Sequence, residues 1–129
     1  MKNKELLELS AKAAEMPINC YDGWNWVDNV GVEKAWGLWN GVINPTISNP
    51  NPRPNPIRWN PLQSDSDALK LVMKLGFIVK VLNKRMEPFT LVRCGENGLI
   101  FEEEHRGDAG KATRRAIVRA AASIGKIML

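Results

Sequence analysis

Basic and aromatic side chains are the residues best placed to do chemistry in this chain. Arg114, Arg115 and Arg119 recur at helical spacing near the C-terminus, with Lys111 one turn ahead of them. All five tryptophans, Trp24, Trp26, Trp36, Trp39 and Trp59, lie within a stretch of 36 residues. Guanidinium groups attract phosphates and carboxylates, and indole rings stack on flat ligands. Together they describe a site for an anionic molecule with a planar part. Trp36 and Trp39 stand beside glycines, where a ring can line a pocket. Arg58, Trp59 and Asn60 make a second such group. Each feature also has a plainer use. A basic helix face keeps a small protein soluble, and tryptophans pack sheets and pin loops.

Other motifs carry less. The run GDAGKAT (107–113) suggests a phosphate loop, but only two residues separate Gly107 from Gly110, and Ala112 follows Lys111 where Ser or Thr is needed. What remains is a glycine-flanked helix start beside Arg106 and Lys111, able to meet an anion through free N–H groups. Glu102, Glu103 and Glu104 precede His105, the one histidine. On a strand, Glu102 and Glu104 share a face and Glu103 opposes them. With no second cluster, they read as a solvated strand end rather than a metal or acid–base site. Cys20 and Cys94 are too few for a disulfide framework and read as small buried hydrophobes. No catalytic set, metal site or cofactor is implied, so the expectation is a protein that is not an enzyme.

Charge sharpens the picture. The net charge is +4 over 129 residues. From His105 onward, six basic residues stand against one acid, Asp108, a net of +5. The first 104 residues carry a net of −1. The positive excess therefore lies in the terminal helix, where it would draw an anionic small molecule, nucleic acid or an acidic protein face.

These residues need a scaffold. The spacing predicts a helix over 3–15, with Leu6, Leu7, Leu9, Ala13 and Ala14 as its apolar stripe, stopped by Pro17. Residues 18–29 read as one or two short strands turning near Asp22-Gly23. Residues 30–43 read as a short strand or an ordered aromatic loop. Six of eight prolines fall between Pro45 and Pro61. Alternate prolines support neither helix nor central strand, so 44–61 is expected to be an extended loop, with 44–58 as an insertion. Ser64 opens a second helix as its cap, Ala68, Leu69, Val72, Met73 and Leu75 give its stripe, and Gly76 closes it. Strands follow at 77–85, 87–94 and 99–104, joined too tightly for parallel crossovers. The last helix runs from Ala109 to Ile127. Thr113, Ile117, Ala121, Ile124 and Met128 lie on one side of it, and Lys111, Arg115, Arg119 and Lys126 on the other.

The expected fold is a single α+β domain spanning 1–129: an antiparallel sheet of four to five strands, packed by two to three helices, with a long Pro-rich loop. No apolar run reaches the roughly 18 residues of a membrane span. The charged start, MKNKELLELSAKAAE, lacks an export signal core, so a cytoplasmic location is expected.

The stretch WNPLQSDSDALKLVMKL, three short strands, and a final helix containing RAIVRAAASIGK resemble small uncharacterised proteins of tailed phages and prophages, similar to the phage ABA-sandwich domain group. Trp59, Asn60, Pro61, Asp67, Ala68, Arg115, Ala116, Ile117, Ala120 and Ala121 carry the resemblance, which covers 59–126. The 44–58 insertion departs from it. The resemblance implies an accessory phage protein acting in the bacterial cytoplasm, with no catalytic residues. The preferred expectation is sequestration of an anionic, nucleotide-type signal in counter-defence, held by Trp36, Trp39, Arg58, Trp59, Asn60, Lys111, Arg114, Arg115 and Arg119. Two alternatives stand beside it: inhibition of a host protein through the Pro-rich loop, and nucleic-acid binding by the basic helix. Homo-oligomers through a sheet edge or the alanine-rich helix fit any of the three.

Overall fold

A computed structural model describes residues 2–16, 24–27, 37–40, 57–84, 86–95 and 98–128. Its elements group into two compact units, one of Met1–Glu15 with Pro61–Leu129 and one of Met16–Asn60.

In the first unit, helix α1 spans Asn3–Ala13 and buries Leu6, Leu7, Ser10, Ala11 and Ala13. Helix α2 spans Asp65–Leu75. Ser64 caps it by accepting from the Asp67 N–H at 3.2 Å. Gly76 ends it at φ +69°, a left-handed conformation that glycine adopts without the Cβ clash. The expected cap and stop are both present. Strands β4 (Ile78–Leu82), β5 (Phe89–Arg93) and β6 (Ile100–Glu104) form the expected antiparallel meander. Its register pairs Val79 with Val92 and Val92 with Phe101. A tight turn then reverses the chain. Arg106 and Gly107 sit at φ +48° and +87°, and the Asp108 N–H donates to the His105 carbonyl at 2.9 Å, the hallmarks of a type I′ turn. Asp108 caps helix α3, Ala109–Ile127, by accepting from the Lys111 N–H at 2.9 Å.

Helix α3 is the centre of this unit and packs against α1, α2 and the sheet. Its buried residues are mostly small: Ala112, Ala116, Ala120, Ala121, Ala122 and Gly125, with Ile117 and Val118. Small side chains let backbones approach closely. A Cβ on Gly125 would overlap the Leu9 carbonyl, so α1 crosses α3 there at backbone contact. Arg115 Nη1 donates to Asn3 Oδ1 at 3.1 Å, and Lys12 Nζ donates to the Met128 carbonyl at 2.7 Å. Contacts advance along both helices together, so α1 and α3 run parallel.

In the second unit, β1 (Trp24–Val27), β2 (Gly37–Asn40) and β3 (Ile57–Trp59) form another antiparallel meander. Leu38 pairs with both Trp26 and Trp59, and Trp39 with Asn25 and Arg58.

The α+β class is as expected, while the arrangement differs in three ways. The described strands form two sheets of three rather than one sheet of four to five. Each strand pairs with its sequence neighbour, so the pairing closes locally within each segment. Ile57, Arg58 and Trp59, expected within the extended 44–61 stretch, are in a strand. No proline stands between Pro56 and Pro61, so backbone donors are available there for the ladder. Residues 44–56, and the expected turn at Asp22-Gly23, lie outside the described residues. Finally, Leu69 and Met73, expected in the core stripe of α2, are 56% and 67% exposed, and Leu71 is buried instead. Helix α2 carries more apolar residues than one stripe can bury.

Candidate functional site

The terminal-helix arginines do not converge on one spot. Arg115 Nε and Arg119 Nη1 approach the same Glu103 oxygen, at 3.5 and 2.8 Å. Arg119 also donates to the Glu102 carbonyl at 3.1 Å and lies over the Phe101 ring, 5.5 Å from its centroid. Glu103 alternates with Glu102 and Glu104, as a strand requires, and this places it on the helix-covered side of the sheet. It is a half-buried counterion, not part of a solvated strand end. Arg114 turns elsewhere: its Nε donates to the Leu62 carbonyl at 3.0 Å and its Nη1 to Asp65 Oδ1 at 2.7 Å. That pair ties the start of α2 to the start of α3. Lys111 is exposed.

Trp39, Arg58, Trp59 and Asn60 belong to the second unit. Trp39 pairs in register with Arg58, while Trp59 stands in the next row with Leu38. Trp59 and Asn60 are buried, and the Arg58 guanidinium lies against Gly37, where a Cβ would come within 2.7 Å of Nε. Trp36 and Cys20 lie outside the described residues. Cys94 is buried, as expected of a small hydrophobe, and burial pushes its thiol pKa up, with a smaller opposing pull from the Ser123 hydroxyl.

Two hollows mark the first unit. The larger, about 680 Å³, lies beside Met86, Phe89 and three carboxylates, Glu87, Glu102 and Glu104, a setting that repels anions. The other is an apolar cleft of about 470 Å³ between α2, β4 and the start of α3. Ala68, Leu69 and Val72 of α2, Val79 and Val81 of β4, and Ile117 of α3 supply its walls. Asp65, Gly110, Thr113 and Arg114 complete its rim, mostly through their carbon atoms. Leu69 and Val81 are 56% and 43% exposed, so the cleft opens to solvent. A volume of this order suits a small organic ligand, and aliphatic walls with a few polar groups are the usual composition of such sites.

One wall of the cleft is joined to a buried histidine. Thr113 Oγ1 lies 2.8 Å from Thr90 Oγ1, which lies 2.7 Å from His105 Nε2. Thr90 is fully buried and His105 is 6% exposed. Strand β5 brings Thr90 beneath α3, and the type I′ turn fixes His105 at the end of β6. The sequence offered Thr113 only as part of an apolar stripe and His105 only as the end of an acidic run. No linear spacing joins residues 90, 105 and 113. Of the described residues expected to bind ligand, Arg114 alone lines this cleft.

Among the described residues, no cluster of three or more His, Cys, Asp or Glu could hold a metal ion, and no helix is long and apolar enough to cross a membrane. Compared with known proteins, the chain matches no family model, no curated protein and no solved structure.

Proposed function

We propose that the chain is a non-enzymatic binding protein that sequesters a small ligand in the cleft between α2, β4 and α3, an accessory role of the kind the phage resemblance implies. The observation that carries this reading is the cleft itself: about 470 Å³ of aliphatic surface, open on one side, with an arginine at its edge. Packing alone gives no reason to leave Leu69 and Val81 exposed on facing walls. An apolar ligand body laid between them would cover both.

The lining also refines the ligand. Among the described residues no aromatic side chain lines the cleft, so an aliphatic body fits it better than a stacked base. At the rim Arg114 is paired with Asp65, so a polar head group would meet that ion pair rather than a free cation. Burying five methylene groups would contribute roughly 4 kcal/mol, which is set against the entropy lost on association.

Octanesulfonate is a suitable probe, because it is aliphatic and remains ionised across the working pH range. Titrated into ¹⁵N-labelled protein, it is expected to give saturable NMR shifts confined to residues 65–72, 79–81 and 109–117. Leu69→Asp, at an exposed position, should leave the fold intact and weaken binding. Absence of saturable shifts, or shifts indifferent to Leu69→Asp, would overturn the assignment.

A further inference from the structure

We infer that the outer face of the β4–β6 sheet docks on the same face of a second copy of this chain, about a two-fold axis parallel to β5. The inference is independent of the cleft, whose strand residues, Val79 and Val81, lie on the helix-covered side.

Strand alternation separates the two faces. Thr90 and Val92 are buried on the side that α3 covers, so Phe89, Leu91 and Arg93 point the other way. The register completes this outer face in three rows: Ile78–Arg93–Ile100, Lys80–Leu91–Glu102 and Leu82–Phe89–Glu104. A sheet face that meets only water is polar, and here five of nine side chains are apolar. Ile78 and Ile100 are 48% and 54% exposed. Charge is divided between the flanks, with Lys80 on β4 and Glu102 and Glu104 on β6. Among the described residues, neither the Lys80 ammonium nor the Glu102 carboxylate makes an ion pair.

This division makes the face complementary to itself under one symmetry operation. A two-fold axis along β5, lying between two such faces, sets β4 of each copy over β6 of the other. Lys80 then meets Glu102 of the second copy, twice per dimer. Leu91 meets Leu91, and Ile78 meets Ile100. An axis across the strands would instead set Lys80 on Lys80 and Glu102 on Glu102. The hollow of about 680 Å³ beside Phe89, Glu102 and Glu104 belongs to this face. Lys80 and Leu82 of the second copy would enter it, bringing a cation to its carboxylates. Arg93 lies on the axis and meets its own copy, a cost reduced by its place in an end row, where the head can turn to water. Strand spacing and rise make the patch roughly 14 by 17 Å. That is small for a specific interface, so the dimer is a transient one.

Sedimentation equilibrium of the full chain from 10 µM to about 1 mM, in roughly 0.15 M salt, tests this. A monomer–dimer equilibrium is expected, with concentration-dependent NMR shifts at Ile78, Lys80, Leu91, Ile100 and Glu102. Lys80→Glu and Glu102→Lys, both at exposed positions, should each weaken the dimer about 10-fold, because two attractive pairs become repulsive. The double variant Lys80→Glu/Glu102→Lys should restore it, which a loss of folding would not allow. Arg93→Gln should tighten it about 3-fold by removing the like-charge contact on the axis. A monomer throughout this range would overturn the inference, as would a dimer indifferent to Lys80→Glu or one whose shifts fall on other elements.

Discussion

Several side chains act here through one atom placed where water cannot reach. Cys94 is the plainest case. It is 1% exposed at the end of β5, and burial holds its thiol above the ordinary value of 9.0. A raised pKa in the folded state means that the folded protein binds the proton more tightly than the unfolded chain. The stabilising contribution is therefore complete below pH 9 and is lost as pH rises through the folded pKa. In a Cys20→Ser background, stability from urea unfolding should fall more between pH 8 and pH 10.5 than in the same background with Cys94→Ala. Equal losses would show that the thiol is not desolvated. Glu103 is a half-buried carboxylate that meets two arginines at one oxygen. It shows why composition misleads about anion binding: the terminal-helix charge is real, but two of its arginines already share a carboxylate.

At the scale of elements, the sequence was most legible where local chemistry decides. Ser64 and Gly76 bracket α2 because a capping hydroxyl and a left-handed glycine act on their immediate neighbours. The β4–β6 meander was legible because its connections are short. The cleft was not, because its walls come from residues 65–72, 79–81 and 109–117, and no local pattern says that α2 will leave Leu69 and Met73 uncovered. The β6–α3 turn was also hidden. Its sequence, Arg106-Gly107, lacks the asparagine or aspartate usual at the first central position of a type I′ turn. Arg106 is held at φ +48°, a conformation costing an ordinary residue about 1 kcal/mol. Asparagine tolerates it better, and the pair Arg106 makes with Glu104 is exposed and worth little. Arg106→Asn is therefore expected to raise stability by about 0.5–1 kcal/mol, read as a higher denaturation midpoint with an unchanged slope. A lower midpoint would mean that the arginine contributes more than its backbone strain removes.

On the scale of the whole molecule, the two compact units differ in how they are closed. The first unit is discontinuous in sequence: α1 comes from before the second unit, and α2 through α3 from after it. Its buried residues come from both of these segments. Leu6, Leu7 and Ala11 of α1, Leu71 of α2, Val92 of β5 and the alanine row of α3 are all buried, and α1 meets α3 at backbone contact. Proximity of α1 is thus a requirement of the first unit, whatever residues connect Glu15 to Pro61. Replacing residues 17–60 with a flexible Gly/Ser linker of similar length should leave a cooperatively folded protein, because every described element of the first unit is retained. Circular dichroism should show the helical signal of α1, α2 and α3, with a single unfolding transition. The His105 resonance should keep its native position, since Thr90 and Thr113 are both retained. A second substitution separates the alternatives if the linker form is unstable. Gly125→Ala places a methyl group against the Leu9 carbonyl, so in either form it should cost several kcal/mol or displace α1, as overpacking at backbone contact does. If Gly125→Ala destabilises the full chain and the linker form equally, α1–α3 packing is internal to the first unit. If the full chain tolerates it much better, residues 17–60 support α1 directly.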